Sequence, residues 1–151
     1  MNLLISLHLI AAIIWVGGMF FAHMILRPAS IEYLEPPQRL SVWRGVFKRF
    51  FSWVWFSIVA LFVTGNWIIF EYYGGYSSLP VYMHLMNAVG LIMMLLFTIL
   101  FFGPYPRFRQ SVEAGLWPQA AVHLNTIRLI VTINLVLGLF TSVIAVAGRY
   151  F

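Results

Sequence analysis

Four apolar runs divide the chain, residues 3–26, 50–70, 79–102 and 129–147, with short polar connections between them. A hydrocarbon core about 30 Å thick is crossed by roughly 20 apolar residues in a helix. The pattern therefore predicts an all-α, four-helix transmembrane bundle in a single integral membrane domain, residues 1–151. The helices are expected at approximately 3–26, 50–70, 79–102 and 118–147. The last begins ahead of its apolar run because Pro118 suits a first helical turn. In the first connection Pro36-Pro37 breaks any continuous helix, and Ser41 to Arg49 reads as an amphipathic approach lying on the headgroups. The first run lacks a basic leader and a small-x-small cleavage site, so it reads as a retained helix and not a signal peptide.

Composition agrees with this pattern. Hydrophobic residues make up 62% of the 151 and charged residues 9%, whereas a soluble domain carries about a quarter charged residues. Such a chain cannot cover its surface with polar groups, so its solvent is lipid. The net charge of +5 reflects arginines in the connections and does not point to nucleic acid. Arg27, Arg39, Arg44, Lys48, Arg49, Arg107 and Arg109 lie in the first and third connections; the second has Glu71 and no cation. By the positive-inside rule both termini face the outer, periplasmic side of a bacterial inner membrane. The absence of cysteine excludes disulfides and thiolate-held metal sites within the chain.

Ionisable groups inside apolar runs are costly and mark functional sites. His8 and His23 stand toward the two ends of the first run, His84 opens the third, and His123 precedes the fourth. The topology sorts them into an outer layer, His8 and His84, and an inner layer, His23 and His123. His8 is five residues inside Leu3 and His84 five inside Leu79, so both lie about 7 Å deep at 1.5 Å per residue. Two imidazoles at one depth on separate helices suit the two axial positions of a haem b. His23 and His123 differ in depth by roughly 12 Å, although Arg27 and Arg128 beside them suit propionates. The expectation is one haem b on His8 and His84, with Asn87, Trp15 and Gly18 in its pocket. A second haem on His23 and His123, with Arg27 and Arg128, extends it.

Simpler roles compete with these. A single intramembrane histidine often serves a hydrogen bond to a neighbouring helix, and glycines serve close helix packing. A rival chemistry comes from Met83, His84 and Met86 with His8, because thioether and imidazole together suit Cu(I).

With those residues in view, the chain resembles the CopD-like membrane proteins and the related HemJ-type protoporphyrinogen oxidases. The matching pieces are HLIAAIIWVGGMFF, VWRGVFKRF, MHLMNAVGLIMML and IRLIVTINLVLGLF, in order over most of the chain. The resemblance implies a four-helix, haem b-containing membrane protein with His8 and His84 at the family histidines. The HemJ-type pattern has His-x-Lys where this chain has His84-Leu85-Met86, which speaks against protoporphyrinogen oxidation and toward the CopD-like branch. The sequence therefore reads as a multi-pass haem protein of electron transfer, a membrane oxidoreductase with an unidentified redox partner. The alternatives are a copper uptake or handling protein, and a cofactor-free helper subunit of a homo-oligomer or larger membrane complex.

Overall fold

The computed structural model describes residues 2–148, and over that range the chain is helical with no strand. Helix α1 (Asn2–Phe21) runs into a π-turn (Ala22–Leu26) and leaves as α2 (Arg27–Tyr33). Helix α3 (Pro36–Tyr73) leads through a 3₁₀ turn (Tyr76–Ser78) to α4 (Val81–Phe102). Helices α5 (Pro104–Glu113) and α6 (Trp117–Ala147) follow. Four stretches, Leu3–Tyr33, Pro36–Tyr73, Val81–Glu113 and Trp117–Ala147, are long and apolar enough to cross a membrane. The fold is the four-helix transmembrane bundle that the apolar runs predict.

The stretches outlast their apolar runs, and the extensions gather at one end of the bundle, where the arginines are. The helix breaks at Pro36-Pro37 as the sequence predicts: α2 ends at Tyr33, Leu34 and Glu35 are extended, and the two prolines open α3 at its first two positions, where a missing N–H goes unused anyway. The third connection holds α5, a helix that the apolar runs do not announce. Tyr105, Phe108 and Val112 are buried along one side of it, while Arg107 and Arg109 are exposed. Helix α3 ends at Gly74 and α5 just before Gly115, both at φ +68°, a conformation that costs glycine little and other residues more.

The π-turn has a local cause. Pro28 has no N–H to donate and its ring crowds the carbonyl one turn back, which loosens the ladder there. The Arg27 N–H bonds the Ala22 carbonyl, five residues behind it. Such turns recur at functional sites, and this one contains His23.

Helix α1 packs chiefly along α3, and α4 along α6. Helices α1 and α4 meet through Trp15 and Phe97, edge to face with centroids 6.3 Å apart. Rings also join α3 to α4: Phe51 and Trp55 lie 5.3 Å and 5.4 Å from Phe97. Toward the basic end Phe47 stacks on Phe51 at 5.0 Å, with Tyr105 and Phe108 against Phe47. Between lipid-facing helices the hydrophobic effect gives no drive, so packing dispersion and interhelical hydrogen bonds hold the bundle. Each aromatic pair contributes about 0.5–1.5 kcal/mol beyond its buried area.

The core is lopsided. The basic half and the middle are filled by these rings. At the opposite end residues 3–10, 81–88 and 139–147 contribute no buried side chain, while α3 keeps Thr64 and Ile69 buried there.

Candidate functional site

The buried stripe of α1 is Ala11, Trp15, Met19 and Ala22. At 3.6 residues per turn, His8 falls roughly 25° from the middle of that stripe. It therefore faces the thinly filled end of the bundle. Its Nδ1 lies 2.8 Å from the Thr64 hydroxyl oxygen on α3. Thr64 also bonds the Ala60 carbonyl. With the hydroxyl proton on that carbonyl, its oxygen accepts from His8 Nδ1–H, and in that tautomer the Nε2 lone pair is free, the ring being held by a partner of the kind that orients ligating imidazoles. Gly65 gives the ring its room: a Cβ there would sit 3.3 Å from His8 Cε1.

On α4 the buried stripe is Val89, Met93, Phe97 and Leu100. Helical geometry puts Met86 roughly 25° from its middle, Met83 roughly 85°, Asn87 roughly 125° and His84 roughly 175°. Burial follows the same order of faces: Met83, Met86 and Asn87 are half-buried and His84 is exposed.

Heights are tied through Gly138 of α6. A Cβ there would meet Val16 of α1 at 2.8 Å and Met93 of α4 at 3.1 Å. From that level His8 lies eight residues out, Met86 seven and His84 nine, or about 12, 10.5 and 13.5 Å. Counted this way the two histidines come out at similar heights, but the imidazoles do not share a face of the bundle. His84 lies on the side of α4 turned from the core, because its position in the helical repeat opposes Met93 and Phe97. A haem b bridging His8 and His84 does not fit this arrangement.

Trp15 and Gly18 are packing residues. Trp15 is buried on Phe97, seven residues or about 10 Å below His8. The Phe50 ring of α3 fills the space in front of Gly18, where a Cβ would collide with it. That face is taken by α3 and is not open to a porphyrin.

At the basic end His23 repeats the device of His8. Its Nδ1 lies 3.3 Å from the Thr132 hydroxyl, which donates to the Arg128 carbonyl. Thr132 is nine residues beyond His123 on α6, about 13.5 Å along the axis. His23 and His123 are therefore not brought to one level. His23, Arg27, Trp43 and Arg128 line a cavity of about 20 Å³, room for about one water and far below a porphyrin. The Arg128 guanidinium stands over Trp43, 5.8 Å from the ring centroid.

Thr64 and Thr132 stand out in the sequence as polar residues inside apolar runs, suited to interhelical hydrogen bonds, and both make one; that their partners are His8 and His23 emerges only once the helices are paired. Among the described residues no group of three or more His, Cys, Asp or Glu side chains gathers for a metal. By residue count and helical repeat, His8 and Met86 fall on the core-facing sides of their helices at similar heights.

Residues 44–147 match the family model described as copper resistance protein D. The match covers more than half of the chain and begins inside α3, after the helix that carries His8. No curated protein matches the chain, and no solved structure does.

Proposed function

The chain belongs to the copper resistance protein D family, and on that premise we propose that it is a copper-handling membrane protein that captures Cu(I) at the end of the bundle remote from the arginines. What supports this reading is the placement of His8 and Met86: each falls on the core-facing side of its helix, and counting residues puts them at similar heights. Bonded to Thr64 through Nδ1, His8 would offer Nε2 to the ion. Met83 stands one turn away at the rim as a further thioether, and His84, on the exposed side, serves as an outer contact at most.

Imidazole and thioether are neutral, soft donors, which favour Cu(I) over hard cations such as magnesium or calcium. Ligands without charge hold a monovalent ion without burying a carboxylate in lipid, where a charge is expensive. A site of few neutral donors also binds weakly enough to release its cargo, as passage requires. With the basic end in the cytoplasm, as the positive-inside rule has it, the His8 end opens outward and copper enters from that side.

Purified protein loaded anaerobically with Cu(I) should retain copper through desalting and lose it on His8→Ala. A pyridine haemochrome assay on the same preparation should show no haem. Protein that retains no copper, or that purifies red with stoichiometric haem b, contradicts the reading.

A further inference from the structure

The basic end holds a second site, independent of the His8 region. The start of α3 and the first turns of α6 enclose a cleft of about 420 Å³, with Arg39, Arg128 and Asn125 on its wall and Leu40, Leu124 and Trp117 as apolar lining. Arg27 flanks Arg128 at the adjoining cavity, so three guanidinium groups gather around one place. Among the described residues none of the three has a carboxylate partner; the ion pair of this end joins Arg44 to Glu113. Gathered like charges without a counter-ion repel, and an anion placed among them would relieve that repulsion.

Arg128 points to the same conclusion from its hydrogen bonds. Its Nε and Nη2 are buried and have no partner. Those two nitrogens form one edge of the guanidinium, the fork that holds an oxyanion through two parallel bonds. Trp43 covers the face of the group but offers nothing in its plane. Leaving donors of a charged group buried and unmade is costly and the chain itself supplies no acceptor, so the group gains from an anion brought beside it in the cleft that Arg128 lines.

The depth and lining of the cleft choose among anions. Arg128 immediately precedes the apolar run of α6, which puts it at headgroup level, and the wall beside it is largely apolar. We propose that the cleft binds the phosphate of an anionic phospholipid, with Arg39 and Arg128 on the phosphate and an acyl chain along Leu40, Leu124 and Trp117.

The test uses the full chain, delipidated in a neutral detergent, with thermal unfolding followed by tryptophan fluorescence. Short-chain phosphatidylglycerol should raise the midpoint saturably; phosphatidylcholine and inorganic phosphate at the same concentrations should leave it unchanged. Arg39→Gln and Arg128→Lys should each weaken the phosphatidylglycerol response roughly ten- to a hundredfold in concentration, the worth of one charge-assisted hydrogen bond. Arg128→Lys keeps the charge and removes the fork. If Arg128→Lys fails to fold, Arg39→Gln decides alone. Cu(I) retention at His8 should be unchanged in either folded variant. Equal responses to both lipids, the full response from inorganic phosphate alone, or wild-type affinity in the folded variants would overturn the proposal.

Discussion

His8 of α1 and Thr64 of α3 are joined across their interface by a 2.8 Å hydrogen bond, and Thr64 also bonds the Ala60 carbonyl. With the threonine proton on that carbonyl the imidazole donates through Nδ1, the tautomer that keeps Nε2 as a lone pair for a metal. Thr64→Val removes the acceptor at nearly constant volume and frees the ring to turn. Cu(I) affinity, measured by competition with a colourless chelator, should fall roughly 10- to 100-fold, the usual loss for a missing outer-shell partner. Unchanged affinity would mean that the threonine does not orient the ligand.

The close approach of α1 to α3 depends on Gly18, because the Phe50 ring occupies the space a side chain would need. Gly18→Val should destabilise the bundle by about 1–3 kcal/mol through overpacking, read as a lowered midpoint of thermal unfolding in detergent. Copper retention in the folded fraction should persist, since Gly18 is a packing residue in this account and not part of the site.

Phe97 is the ring on which Trp15, Phe51 and Trp55 converge. Phe97→Ala opens a cavity between all of the helices that meet there and should cost about 3–5 kcal/mol. A change below about 1 kcal/mol in chemical or thermal unfolding would show that the aromatic cluster does not anchor α4 to α1 and α3.

Much of the fold was legible because lipid imposes a simple rule: a long apolar run must be a helix, since nothing else satisfies its backbone there. What lay outside the apolar runs was harder to see. Pro36-Pro37 is legible as a break, and the chain does break there, but that the same prolines open a helix running unbroken to Tyr73 is not. The apolar face of α5 is three residues, Tyr105, Phe108 and Val112, scattered among charges and prolines. Depth along a helix follows from counting, so the common level of His8 and His84 was readable from the chain. Direction around a helix was readable only against a known buried face, and the stripe through Met93 and Phe97 turns His84 outward and Met86 inward.

Orientation in the membrane follows from the arginine-rich end. The chain contains no cysteine, so single cysteines report cleanly. Ser77→Cys, in the exposed turn between α3 and α4, should react with an impermeant maleimide added to intact cells or spheroplasts. Ala114→Cys, exposed between α5 and α6, should react only after permeabilisation. The reverse pattern would put the His8 end in the cytoplasm and make the proposed capture an exit site.

The most direct measurement is an anaerobic Cu(I) titration of the wild-type protein beside His8→Ala, Met86→Leu and His84→Ala, with each variant shown to be folded. The inward pairing of imidazole and thioether predicts that His8→Ala abolishes saturable binding, that Met86→Leu weakens it markedly, and that His84→Ala retains wild-type affinity. Loss of binding in His84→Ala with full binding in His8→Ala would contradict it.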